Sequence, residues 1–178
     1  MRIISGTYKG KRLTAPKNLP VRPTTDFAKE ALFNILRHRI DFHNSSLLDL
    51  FAGTGNISYE FASRGTEDIT AVDMHYGCVK YINSIAEELS FQISTVKADV
   101  KKYLNSKHRS FDVVFADPPY AFTPEDLQKM VEKIFNNDLL NSEGIVIIEH
   151  TKHTDLSHVV NFKEARRYGG SVFSFFEI

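Results

Sequence analysis

The sequence predicts an α/β fold: a doubly wound, mostly parallel sheet of seven strands with helices on both faces, closed by a C-terminal antiparallel hairpin and preceded by a small N-terminal β-hairpin extension. Three observations predict it. From Ser46 onward, short apolar runs alternate with amphipathic segments at a spacing that reads strand, helix, strand. Near the end, Gly169-Gly170 divides two strand-like runs. At the start, two short β-like runs surround a glycine-containing turn.

Taken in order, Arg2-Ile3-Ile4-Ser5-Gly6 and Gly10-Lys11-Arg12-Leu13 read as the two arms of the N-terminal hairpin. After the turn-like Pro20 and Pro23, Thr25 or Asp26 caps a helix whose Ala28, Ala31, Leu32, Ile35 and Leu36 share one face. Strands are expected at 47–51, 69–73, 92–96, 111–116 and 144–149, and helices at 56–64, 76–89, 100–106 and 125–136. Such alternation implies parallel strands covered on both sides. The stretch from Thr151 to Asn161 is short, enough for a single helical turn, and 162–178 form the closing hairpin at the sheet edge. Residues 1–22 are thus a hairpin extension and 23–178 the main domain.

With 178 residues, 42% hydrophobic and 25% charged, the chain has the composition of a soluble protein with one generous core. Its most apolar runs, such as Ile145-Val146-Ile147-Ile148, are too short to cross a bilayer and nothing resembles a secretory signal, so a cytoplasmic protein without membrane contact is expected. The single cysteine, Cys78, excludes an internal disulfide framework and a cysteine-rich zinc site. No spacing among the seven histidines points to a metal, and His75 and His150, at strand ends, read as satisfied or exposed. Net charge is zero, but residues 1–40 hold nine Lys/Arg against Asp26 and Glu30, a net of +7, balanced by −7 over the rest. A basic arm on an acidic body fits a polyanionic partner; a solvated lysine-rich segment has the same composition.

Four motifs carry chemistry. Leu47-Leu48-Asp49-Leu50-Phe51-Ala52-Gly53-Thr54-Gly55-Asn56 is an apolar strand ending in an acid, then a Gly-x-Gly turn that opens a helix. Glycines there let the backbone approach a nucleotide-like ligand, although many strand-helix turns carry glycine for steric reasons alone. Ser58 stands where a dinucleotide fingerprint has its third small residue, which counts against NAD or FAD. Asp73 ends the next strand, about 20 residues on, where a carboxylate can accept both hydroxyls of a ribose. Asp99 follows the third strand and either meets an adenine edge or caps the next helix.

The fourth motif is Asp117-Pro118-Pro119-Tyr120, at the end of the strand Phe111-Asp112-Val113-Val114-Phe115-Ala116. Two prolines remove amide donors and stiffen the turn, leaving the Asp117 carboxylate and the Pro118 carbonyl as acceptors for one exocyclic NH2 group. The nitrogen of an aryl amine is a poor nucleophile because its lone pair is delocalised into the ring. Holding both hydrogens favours the tetrahedral form that frees that pair. Tyr120 then offers a face to the base, with stacking worth about 1–3 kcal/mol against the few kcal/mol needed to extract a base from its stack.

Asp49-x-Phe51-Ala52-Gly53-Thr54-Gly55, Asp73 and Asp117-Pro118-Pro119-Tyr120 resemble the motifs of Rossmann-like class I S-adenosylmethionine-dependent amino methyltransferases. The opening, with Arg2-Ile3-Ile4-Ser5-Gly6, Gly10-Lys11-Arg12-Leu13, Arg22-Pro23-Thr24-Thr25-Asp26 and Lys29-Glu30-Ala31-Leu32-Phe33-Asn34-Ile35-Leu36, resembles the RsmD family of bacterial 16S rRNA guanine-N2 methyltransferases, over nearly the whole chain. The resemblance implies S-adenosylmethionine as cofactor and, as partner, 16S rRNA or the small ribosomal subunit particle, methylated at guanine 966 during assembly by a monomer without a metal. It implies that Asp117, Pro118, Pro119 and Tyr120 are catalytic, with Asp117 also beside the cofactor. The turn Phe51, Ala52, Gly53, Thr54, Gly55 and Asn56 would surround the methionine part of the cofactor, Asp73 the ribose and Asp99 the adenine, with Asp49, Met74 and Val100 also among the cofactor-binding residues. Lys9, Lys11 and Arg12 would touch phosphates on an RNA-binding hairpin, and Arg22 and Thr24 would lie beside donor or substrate. Asp-Pro-Pro-Tyr also serves adenine-N6 methyltransferases of DNA or RNA, and a catalytically silent RNA-binding module with the same fold is a further alternative.

Overall fold

The computed structural model describes residues 1–20, 24–106 and 109–178. Its elements are α1 (Asp26–Leu36), β1 (Ser46–Leu50), α2 (Asn56–Ser63), β2 (Asp68–Asp73), α3 (Tyr76–Leu89), β3 (Ile93–Lys97), α4 (Val100–Tyr103), β4 (Phe111–Ala116), α5 (Pro124–Asn136), β5 (Leu140–Thr151), β6 (Phe162–Tyr168) and β7 (Ser171–Phe176). They form a seven-stranded sheet in the order β3-β2-β1-β4-β5-β7-β6. The first five strands pair in parallel, and β7 runs antiparallel between β5 and β6. The expected α/β, doubly wound architecture with its closing hairpin is therefore present.

Alternate residues along each strand face opposite layers. Leu47, Ile69, Val113, Phe115, Ile145 and Ile147 pack against α1 and α2 with Phe173 and Phe175, whereas Leu48, Leu50, Val114, Ala116, Val146 and Ile148 pack against α4 and α5. Local chemistry starts each helix. The Thr25 hydroxyl accepts from the amide of Ala28 at the head of α1, and Thr123 and Asp126 form a reciprocal capping box around Pro124 at the head of α5. Among the described residues no helix is long and apolar enough to cross a membrane.

Three boundaries differ from expectation. β5 begins at Leu140, not 144, because Leu140 pairs with Phe111 before a register shift; Asn141-Ser142-Glu143-Gly144, which reads as a turn, is the irregular part of a continuing strand. The helix expected over 100–106 is a single turn, Val100–Tyr103. Between β5 and β6 there are turns and no helix, and Leu156 and Val159 there are buried in the α4–α5 layer.

In the N-terminal hairpin the arms exchange hydrogen bonds around the antiparallel bridge of Arg2 to Arg12, Ile3 with Lys11 and Gly10 and Leu13 with Met1, and further groups bond to the body. The amide of Thr7 donates to the Ser63 carbonyl (2.7 Å) and that of Tyr8 to the Ser63 hydroxyl (3.0 Å), while Ile3 and Leu13 share a buried cluster with Tyr59, Ile82 and Leu89. Gly6, at φ +82°, lies so close to Ser63 that a Cβ would fall 1.7 Å from its carbonyl oxygen.

Candidate functional site

The turn after β1 is tightly wound. Phe51, Gly53 and Gly55 all have positive φ, at 61°, 54° and 82°. For Phe51 this is an uncommon conformation that surrounding contacts must enforce. Its ring meets that of Phe122 edge-on, the amide of Ala52 donates to the Val72 carbonyl, and the amide of Gly53 donates to Asp73 at 2.8 Å. Tyr59, fully buried, fills the space that a side chain on Gly55 would need, so the turn tolerates a large residue one helical turn further on.

A cleft of about 800 Å³ opens at the C-terminal ends of the parallel strands, within the usual range for small-molecule sites. Of the expected cofactor residues, Asp49, Phe51, Ala52, Gly53, Thr54, Asn56, Asp73, Met74 and Asp117 line it, with Thr24 and the rest of the Asp-Pro-Pro-Tyr turn. Gly55, Asp99 and Val100 do not: Asp99 caps α4 by accepting from the Lys102 amide, and Val100 is packed in the core. Nor do Lys9, Lys11 and Arg12, which lie on the hairpin, where Lys11 pairs with Glu88 at 2.7 Å. Arg22 lies outside the described residues.

On the face that carries α1 and α2, the apolar ladder of each of four strands gives way to an acid at the cleft. Ile69 and Ala71 lead to Asp73, Leu47 to Asp49, Val113 and Phe115 to Asp117, and Ile145 and Ile147 to Glu149. Glu149 was not expected from the sequence, yet its alternation with Ile145 and Ile147 repeats that of Asp117 with Val113 and Phe115. Burial pushes the Asp49 carboxyl up to about 7, against a 2.5 Å hydrogen bond from the Ser58 hydroxyl that favours the charged form. Asp117 is raised well above the ordinary carboxylate range, first by burial and then by the charges of Glu149 and Asp49. Burial raises Glu149 as well, opposed by hydroxyl bonds from Ser171 and Thr24. Exposed Tyr120 forms part of the rim with Phe27, which meets Tyr168 edge-on at 6.3 Å.

Asp49 gives a testable signature. Because its folded-state value lies above its ordinary value of 3.8, the folded state loses stability as pH rises from about 4 to about 7. Asp49→Asn, which still accepts from Ser58, is expected to melt above the wild type at pH 8 and with it near pH 4. The difference at pH 8 is on the order of a few kcal/mol, at about 1.4 kcal/mol per unit. Melting curves that stay parallel across that range would refute the buried-acid account.

Strand order, glycine turn and cleft position together are those of the class I methyltransferases. A solved structure described as "Putative methyltransferase yhhF from Escherichia coli" superposes with a TM-score of 0.87 at 24% identity, covering 100% of this chain and 98% of that one. The chain belongs to the RsmD family: the family model described as "Conserved hypothetical protein 95" matches residues 1–177. It is 32% identical over 165 residues to "Putative rRNA methyltransferase YlbH" of Bacillus subtilis, covering 90% of this chain and 88% of that protein. To "Ribosomal RNA small subunit methyltransferase D" of Escherichia coli K12 it is 31% identical over 157 residues, covering 84% and 74%.

Proposed function

We propose that this protein transfers a methyl group from S-adenosylmethionine to the exocyclic N2 of a guanine in 16S rRNA, at position 966, during assembly of the small ribosomal subunit. The observation that carries the reading is the opening of the glycine turn and the Asp117-Pro118-Pro119-Tyr120 turn onto one acid-lined cleft. The name of the Bacillus subtilis relative supports an rRNA as substrate, and that of the Escherichia coli relative an RNA of the small subunit.

The residues present fit a cationic donor. Asp49 and Asp73 complement ammonium and sulfonium charge, and the first turn of α2 has no side-chain cap, leaving its amides for a carboxylate. When bound, S-adenosylmethionine supplies a methyl carbon made electrophilic by the attached sulfonium. Asp73 is the ribose acceptor; its oxygens already accept from the amides of Gly53 and His75, which fix the carboxylate's direction. Asp117 and the Pro118 carbonyl hold the two hydrogens of the amine, and Asp117 balances the positive charge that grows on its nitrogen. Tyr120 stacks on the base. Asn56 does more than line the cleft: its amide donates to the Thr24 carbonyl, tying the α2 turn to the segment leading into α1.

On the hairpin, Lys9, Lys11 and Arg12 are the proposed phosphate contacts. Reversing the charge of Lys11 and Arg12 together is expected to weaken RNA binding and flatten its salt dependence by roughly two phosphate contacts, leaving donor affinity unchanged. Filter binding across a salt series reads both. For the activity itself, purified protein and labelled donor are expected to place label on N2 of a guanine in small-subunit RNA or particles from cells lacking the enzyme. Label on adenine would overturn the guanine assignment.

A further inference from the structure

We propose that Glu149 reads the ring N1–H of the target base, and so selects guanine among the bases that carry an exocyclic amine. The proposal rests on the guanine-N2 reading above and deepens it.

The sheet register supplies the geometry. Phe115 pairs with Ile147 and Ala116 with Ile148, so Asp117 and Glu149 are next in the same register, on neighbouring parallel strands and on the same face. Neighbouring strands lie about 4.8 Å apart, so the two carboxylates can bracket adjacent positions on one planar edge. Glu149 is 7% exposed, lines the cleft, and accepts from the Thr24 hydroxyl at 3.1 Å. A carboxylate has about four acceptor sites, so the hydroxyls of Thr24 and Ser171 orient it and leave capacity for a ligand.

What lies beside the amine then decides the base. In guanine the 2-amino group adjoins N1–H, a second donor. In adenine the 6-amino group adjoins N1, and in cytosine the 4-amino group adjoins N3, both bare acceptors. With Asp117 on the amine, Glu149 meets a hydrogen in guanine, whereas in adenine or cytosine two lone pairs face each other at a buried carboxylate. An unsatisfied, repelled pair of acceptors is the kind of mismatch that a polar site rejects strongly.

The test uses small-subunit RNA ligated with either guanine or 2-aminopurine at the position the wild-type enzyme modifies. 2-Aminopurine keeps the 2-amino group but has an acceptor at N1. The wild type is expected to prefer guanine by tenfold or more in kcat/KM, in the range of a good base-edge contact. Glu149→Gln, whose amide can offer NH2 to a bare N1, is expected to reduce that preference at least tenfold, with donor affinity within about threefold of wild type. Thr24→Val, which loosens the orientation of Glu149, is expected to fall between. A preference unchanged in Glu149→Gln, or loss of donor binding in parallel with both substrates, would overturn the proposal. Wild-type product analysis separates this from failure of the parent reading: a methyl group on any base other than guanine defeats both, whereas N2-methylguanine with an unchanged preference in Glu149→Gln defeats Glu149 alone.

Discussion

Replacing Asp117 by alanine is expected to lower methyl transfer by about 10³-fold or more while donor affinity stays within about threefold. The size follows from the role: removing one preorganised partner of developing charge typically costs 10²–10³-fold, and here the same side chain also positions the nucleophile. Asp117 suits that role because its strand delivers it to the cleft beside Pro118, where Glu149 and Asp49 crowd it with like charge. Its activity also acquires a sign in pH. Asp117 must be ionised to balance the positive charge that grows on the amine nitrogen, and burial with its two acidic neighbours raises the pH at which it loses its charge. Thr24 and Ser171 face the cluster only through neutral hydroxyls. Transfer is therefore expected to decline on acidification well before an ordinary carboxylate would protonate. Single-turnover rates and equilibrium donor titrations, measured on the same samples, check this; equal loss of transfer and donor binding in Asp117→Ala would show that the residue supports the donor, not the amine.

The second large effect lies outside the cleft. Lys29 is 1% exposed, and its ammonium donates to the Arg2 carbonyl at 2.6 Å and to Asn56 Oδ1 at 2.7 Å, with Glu60 at 3.5 Å. Glu60, fully buried, accepts from the amides of Ile4 and Ser5 and from Arg64. This pair joins the hairpin, α1 and α2 at one point. Glu60→Leu strands a buried cation and two amides, a loss of about 3–5 kcal/mol, which at about 2–4 °C per kcal/mol lowers the thermal midpoint by on the order of 10 °C. Burial already pulls the Lys29 ammonium below its ordinary value, and removing Glu60 removes the main influence opposing that. A lysine whose folded value is depressed penalises the fold while it must be charged, so the deficit of Glu60→Leu is expected to shrink as pH rises. Melting curves at several pH values test the sign, and the double variant Glu60→Leu/Lys29→Met is expected to recover part of the loss. A small, pH-independent deficit would mean that the hairpin is held by its apolar contacts alone.

Elements whose signal is local were readable from the chain. The glycine turn, the acid after β2 and the Asp-Pro-Pro-Tyr turn each need only a few consecutive residues to define their backbone. The strand-helix alternation of residues 46–136 likewise follows from periodicity. Asp99 shows the limit of such reading, since an acid that caps a helix after a strand looks the same in sequence whether or not it also meets a ligand; its carboxylate caps α4. The start of β5 was hidden because Asn141-Ser142-Glu143-Gly144 has turn chemistry, and only the pairing of Leu140 with Phe111 makes it strand.

By itself, then, the sequence determined which segments could be strands and helices, and which short turns bring backbone and carboxylate to a strand end. The tertiary structure decided which distant groups meet. Glu149 lies 32 positions after Asp117 and becomes its neighbour only through the β4–β5 register, and Lys29 finds Glu60 only when α1 packs on α2. Both are ionisable groups withdrawn from water. Their properties depend on what surrounds them in space, because the cost of burying a charge is set by the partners that packing supplies and not by the residues beside it in the chain.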